Sequence, residues 1–209
     1  MCFSATASFA AGGALSATGL ITLKKVKRKE RALASIPLLL GVQQLVDGLV
    51  WVSADASAVH VLAAYTYSVF AFAFWPLFAP LALLLIETDI HRKRVLEALF
   101  IIGIGVSAFF LYYIMLNGVT AQLLRSCIAY TTSHPYGTVS LAFYLVAVCG
   151  PFIVSNIKML RIFGLALLLS FAIAGWFYVE TFSSTWCFFA AVLSGILFLH
   201  FHIGTNGVD

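Results

Sequence analysis

Residues 5–31 read ATASFAAGGALSATGLITLKKVKRKER. Nineteen uncharged residues (5–23) run directly into Lys24, Lys25, Lys27, Arg28, Lys29 and Arg31. A helix of about 20 mostly apolar residues crosses the hydrocarbon core of a bilayer. A basic cluster at its end marks the cytoplasmic side. The stretch therefore reads as a membrane span with its topogenic charge, and the rest of the chain repeats the pattern.

Composition agrees. Of the 209 residues 62% are hydrophobic and 10% charged, and the mean hydropathy is +1.03. A soluble domain carries roughly a quarter of its residues as charges. An ordinary cytosolic enzyme, a disordered chain, a disulfide scaffold and a dedicated nucleic-acid binder are all excluded. Seven apolar stretches follow one another: Ala5–Leu23, Ala32–Ser53, Val59–Ile86, Val95–Leu116, Thr138–Ser155, Ile162–Val179 and Ser184–Ile203. They are continuously apolar rather than alternating, which excludes a barrel. The expected fold is an all-α polytopic membrane bundle of seven transmembrane helices in a single domain over residues 1–209. Pro76 and Pro80 predict a kink in the third span, and Gly150-Pro151 a second in the fifth.

The basic residues orient the bundle. After the first cluster come Arg92, Lys93 and Arg94, then Lys158 and Arg161. With seven spans, eleven of the twelve basic residues fall on one side and only Arg125 on the other. The positive-inside rule then gives N-out/C-in topology in a cell membrane of bacterial cytoplasmic type. Beside a span, the Lys24–Arg31 run has no need of a nucleic-acid reading. No cleavable signal peptide is expected, since no basic region precedes the first apolar stretch. Ser8, Gly12 and Ser16 share one face of that stretch and predict a central, closely packed helix.

Asp47 is the most informative single residue. Counted from the cytoplasmic end of the second span it lies roughly 22 Å deep, in the outer half of the membrane. Gln43, Asp47 and Trp51 recur every four residues, with Gln44 three before Asp47, so all approach one face. A lipid-facing carboxylate there costs about 2.5–3.5 kcal/mol on insertion scales, so Asp47 is expected to face the interior. It serves there either as a small-molecule or ion site or as a polar clamp shared with the glutamines and a tyrosine. Glu180 lies at the outer end of the sixth span, in the same membrane half. The ligand-binding candidates are thus Gln43, Gln44, Asp47, Trp51 and Glu180.

Cys2, Cys127 and Cys187 also fall on the outer side, where one disulfide and one free thiol are expected. With His60 and His134 they form a weaker metal candidate, because no CxxC or HExxH spacing is present. His200 and His202 point about 200° apart on a helix and cannot chelate one ion together. The longest connection, Asn117–Gly137, is read as an outer loop. A retinal Schiff base needs a lysine within a span, and all six lysines flank the spans. No Ser-His-Asp arrangement, phosphate loop or dinucleotide fingerprint occurs. The tyrosines Tyr65, Tyr67, Tyr112, Tyr113, Tyr130 and Tyr136 cluster near the outer boundary as an aromatic belt, and the same clustering suits an aromatic ligand.

Four stretches resemble an uncharacterised family of small polytopic, mainly bacterial membrane proteins. They are the opening MCFSATASF, Gln43-Gln44-Leu45-Val46-Asp47-Gly48 with Trp51, Trp75-Pro76-Leu77-Phe78-Ala79-Pro80, and Trp186-Cys187-Phe188-Phe189-Ala190-Ala191. The resemblance implies a multi-span fold, directs attention to Cys2, Asp47, Trp51 and Cys187, and supplies no activity. Removal of Met1 would expose Cys2 as a nucleophilic or metal-binding terminus. With Met1 retained, Cys2 packs or crosslinks to Cys187. Three functional readings follow: an outward-facing protein that binds, senses or carries a small molecule or ion; a membrane-embedded metal-dependent hydrolase or thiol enzyme acting on lipid; and a structural subunit of a membrane complex.

Overall fold

The computed structural model describes residues 4–53, 57–124, 127–133, 135 and 137–203. Cys2, Asp55, Arg125, His134 and Tyr136 lie outside them. Seven helices are long and apolar enough to cross a membrane: α1 (Ala5–Lys25), α2 (Arg28–Val52), α3 (Ala58–Leu84), α4 (Ile90–Asn117), α5 (Gly137–Val154), α6 (Lys158–Phe177) and α7 (Phe182–His202). The molecule is an all-α polytopic membrane bundle. Polar residues between the apolar runs start the helices. The Ser4 hydroxyl accepts from the Ala7 amide, Ser57 from the His60 amide, and the Asp89 carboxylate from the His91 and Arg92 amides. Consecutive helices pack side by side, and α7 closes the ring against α2 and α1. The connections α1–α2, α3–α4 and α5–α6 carry eleven of the twelve basic residues at one end, here called the basic end.

The connection after α4 is not a simple loop. It holds an antiparallel hairpin of β1 (Thr120–Leu124) and β2 (Cys127–Thr131), with Thr120 opposite Thr131 and Leu124 opposite Cys127. The hairpin pairs its own backbone groups and buries Ala121, Ile128 and Tyr130 on Val50, Ala63, Ala64 and Tyr67. That end of the bundle is here the hairpin end.

Helix α1 is not central. Its span is 22% buried, against 61% for α2. Its small-residue face does make a close contact: Gly12 lies on the Gly41 carbonyl and Leu45, and Gly41 lies on Ser16. The other faces of α1 carry exposed Leu20 and Ile21, as suits a rim helix against lipid.

The third span does deform, in a specific way. Residues Val69–Phe74 form a wider π turn before Trp75-Pro76. Pro76 has no N–H, so in the i→i−5 register the Ala71 carbonyl loses its backbone donor. The Tyr144 hydroxyl of α5 donates to that carbonyl at 2.6 Å, and the Ser107 hydroxyl of α4 donates to Ala73 O at 2.6 Å. Neighbouring helices thus satisfy groups that lipid could not. By contrast α5 runs through Gly150-Pro151 to Val154 without a break, because Pro151 falls in its last turn. In α7 the helix is interrupted at Ser194, whose hydroxyl donates to Ala191 O.

At the basic end, Glu87 and Asp89 organise the α3–α4 turn. Burial of Glu87 works against its ionisation. The Asp89 amide, the Arg92 guanidinium and the Thr88 amide outweigh it and hold the carboxyl below its usual range. Asp89 is lowered chiefly by the Arg92 amide it caps. A carboxyl depressed in the folded state adds stability above the unfolded pKa, about 3.9–4.3, and that stability is lost as pH falls through the folded value. Thermal unfolding in nanodiscs should therefore give a Tm that is flat from neutrality to about pH 5 and falls below it. The combined Glu87→Gln and Asp89→Asn variant should show a shallower acid limb. An unchanged limb in that variant rejects the assignment.

Candidate functional site

Asp47 faces the interior and is 3% exposed. Its Oδ2 accepts from the Ser8 hydroxyl of α1 at 2.8 Å, and its Oδ1 from the Tyr130 hydroxyl of β2 at 2.8 Å. The Ser184 hydroxyl of α7 also donates to Oδ1, at 3.5 Å. One carboxylate thus ties α2 to α1, α7 and the hairpin. The Trp51 indole N–H faces the same carboxylate without reaching hydrogen-bond geometry. Burial, and then the Asp47 carboxylate, push the Tyr130 phenol well above its usual range, so it remains a protonated donor. The Tyr130 ring stacks on Tyr67, centroids 4.0 Å apart and planes 14° from parallel. Tyr67 is fully buried rather than part of a boundary belt, and its hydroxyl donates to Ser183 O at 3.3 Å.

A cavity of about 350 Å³ opens beside this network, beneath the hairpin. The π turn contributes Ala71 and Phe72, and α4 contributes Phe110. Tyr130 and Thr131 form its roof, and Leu141 and Tyr144 come from α5. Glu180 stands on the short turn between α6 and α7, and Phe182, Ser183, Trp186 and Cys187 complete the wall from α7. The rings brace one another. Tyr144 meets Trp186 edge-on at 5.7 Å, Phe182 stacks on Trp186 at 5.9 Å, and Phe72 stacks on Phe110 at 5.4 Å. Tyr144, Trp186 and Cys187 also line a smaller void of about 40 Å³ among the helices.

The sequence candidates therefore separate. Glu180 and Cys187 line the main cavity. Asp47 reaches it only through Tyr130, whose ring is in the wall while its hydroxyl holds the carboxylate. Trp51 and His60 line another cavity of about 280 Å³, with Ser53 and Gln122. Gln43 and Gln44 are buried in the bundle and line none of these cavities: Gln43 Oε1 accepts from the Trp75 indole at 2.7 Å, and Gln43 Nε2 and Gln44 Oε1 meet no hydrogen-bond geometry among the described residues. Ser8, Tyr130, Tyr144 and Ser184 are absent from the sequence candidates. Ser8 was legible only as a small residue on a packing face, and Tyr130 only as one of the tyrosines near the outer boundary.

Cys127 is disulfide-bonded, whereas Cys187 and Cys149 are free and buried. A crosslink from Cys2 to Cys187 is accordingly not formed. Cys187 sits under the hairpin beside Tyr67 and Gln43. His60 engages Ser53 Oγ and Ala121 O, each at 3.1 Å, through its two ring nitrogens. Among the described residues no group of three or more His, Cys, Asp or Glu could hold a metal ion. His202 turns its ring onto Phe198, and its Nδ1 pairs with Phe198 O at 3.0 Å.

Fold and site together define a polytopic membrane helix bundle with an aromatic cavity roofed by a hairpin. The chain belongs to a family of unknown function, DUF6629, whose family model matches residues 1–206. No curated protein and no solved structure matches it.

Proposed function

We propose that this protein binds, senses or carries a small molecule in the cavity beneath the hairpin. The carrying observation is the cavity itself: about 350 Å³, walled mainly by apolar and aromatic side chains, with a few polar groups at one side. Ligand sites have this size and character. The link to Asp47 adds a means of response. A ligand that shifts the Tyr130 ring also shifts the hydroxyl joining the hairpin to α1, α2 and α7.

We place the hairpin end outside the cytoplasm and the basic end inside, N-out/C-in, in a cell membrane of bacterial cytoplasmic type. The basic residues favour this, and so does the Cys127 disulfide at the hairpin end, since disulfides persist in oxidising compartments. Catalysis has less support. The groups hydrogen-bonded to Cys187 are a phenol and an amide, neither of which is a base at neutral pH; the Asp47 carboxylate nearby is held by Ser8 and Tyr130, and His60 has committed both ring nitrogens.

Cys187 offers the test. In the full chain carrying Cys149→Ser, in phosphatidylglycerol nanodiscs, N-ethylmaleimide should alkylate Cys187, and Leu141→Trp should block the reaction by filling the cavity. Small neutral, anionic and cationic aromatic compounds are then screened for protection. At least one class should slow alkylation severalfold. Free alkylation with no protection by any class rejects the binding reading.

A further inference from the structure

We propose that the cavity takes an organic cation, an alkylated ammonium group caged by aromatic rings with Glu180 as its counter-charge; this rests on reading the cavity as a binding site.

Six of its wall residues are aromatic: Phe72, Phe110, Tyr130, Tyr144, Phe182 and Trp186. The face of each ring presents negative potential, and Trp does so most strongly. Among the described residues no lysine, arginine or histidine lines the cavity, and the one carboxylate they give it, Glu180, makes no hydrogen bond or ion pair with any of them. An anion would meet like charge there, and no described residue of the wall would pair it. A neutral apolar molecule would fill the space but leave the carboxylate without a partner as it shed water on closure.

The balance of aromatic faces over acceptors decides which cation. A primary ammonium has three N–H donors to satisfy. The two phenols in the wall turn their hydroxyls to Asp47 and to Ala71 O, which leaves Glu180 and the Thr131 and Ser183 hydroxyls as its acceptors, against six aromatic side chains. The phenol rings remain free to face a ligand while their oxygens are held away. An ammonium with its hydrogens replaced by alkyl groups has no donors to satisfy and spreads its charge over apolar surface, which is what aromatic cages accommodate. Glu180 then neutralises the charge at the rim without having to be buried. Such a group can come from a free cation or from a choline lipid headgroup.

The test uses the full chain with Cys149→Ser in phosphatidylglycerol nanodiscs. Protection of Cys187 against N-ethylmaleimide is compared for benzyltrimethylammonium and neopentylbenzene, in which carbon replaces the charged nitrogen, with protein-free discs correcting for partition. The cation should protect at concentrations about tenfold lower than its neutral isostere. Glu180→Gln should weaken cation protection and leave the isostere unchanged. Protection by the isostere at equal or lower concentration, or cation protection indifferent to Glu180→Gln, overturns the cation while the binding site stands. Protection by neither, nor by any compound of the wider screen, overturns both. Repeating the titration in phosphatidylcholine discs separates the sources: weaker apparent protection there shows the headgroup competing, and equal protection shows that the free cation is the ligand. Either result supports the ammonium class.

Discussion

Asp47→Ala is expected to lower the stability of the bundle by about 2–4 kcal/mol, read as a fall in Tm in nanodiscs. The substitution removes the acceptor shared by Ser8, Tyr130 and Ser184 and strips their buried hydroxyls of it. A buried donor stripped of its partner costs about 1–3 kcal/mol. Measured hydrogen bonds between membrane helices average nearer 0.6 kcal/mol, because the unfolded chain in the bilayer also finds partners. Here the larger figure governs Tyr130, whose donor comes from a hairpin rather than from a helix already inserted. Asp47→Asn keeps one acceptor of the same shape and should cost about half as much. The discriminating variant is Asp47→Leu with Tyr130→Phe. If the carboxylate acts through these hydroxyls, removing both partners costs less than the sum of the single changes. Additive losses would show that Asp47 is not the hub of the hairpin end.

The seven spans were legible because each is a local property of its own residues: length, hydropathy and the charges at its ends. The inward direction of Asp47 was legible for the same reason, since lipid sets the cost of the alternative. Its partners were not. Ser8 lies 39 positions away and Tyr130 lies 83 positions away, and nothing in either segment marks it as a donor to α2. The hairpin escaped notice because its strands, TAQLL and CIAYT, are short and joined through Arg125-Ser126 rather than through an Asn-Gly or Asp-Gly turn. Its pairing is held by burial of Ala121, Ile128 and Tyr130 on α2 and α3, a tertiary cause. Glu180 illustrates the opposite case. It was legible as a carboxylate at a span boundary in the same membrane half as Asp47, and only the convergence of α4, α5, α7 and the hairpin places a cavity beside it.

Prolines in the third span show how far a local signal carries. Pro76 and Pro80 announce that two carbonyls lose their helical donors. They do not say whether the helix bends, breaks or widens. The answer lies in what neighbouring helices offer: Tyr144 donates to Ala71 O, the carbonyl freed by Pro76, and Ser107 adds a bond to Ala73 O, so the chain widens into a π turn and continues. The same turn supplies Ala71 and Phe72 to the cavity wall. Helix irregularity and cavity therefore share one cause, and π turns are frequent at functional sites.

The second carbonyl leads to the most severe single substitution expected in the molecule, Gly103→Ala. Pro80 has no N–H to offer the Pro76 carbonyl one turn earlier, and that oxygen lies directly against Gly103 of α4. A Cβ built at Gly103 collides with Pro76 O, and the obstacle is backbone that no rotamer change can move. Close backbone approach through a small residue is the usual source of helix affinity in a bilayer, where apolar burial between helices gains nothing over lipid. Separating α3 from α4 at this point would also withdraw Ser107 from Ala73 O, one turn further along α4. We expect a loss of about 3 kcal/mol or more, well above the roughly 1–3 kcal/mol typical of overpacking, seen as a collapse in folded yield and a large fall in Tm. Gly105→Ala is the matched control: it is two residues away on the same helix, its Cβ would meet no atom within 4 Å, and it should leave stability unchanged or raise it slightly through helix propensity. Equal behaviour of the two variants would falsify the contact between Gly103 and Pro76. It would also remove the reason for α4 to hold the π turn open beside the cavity.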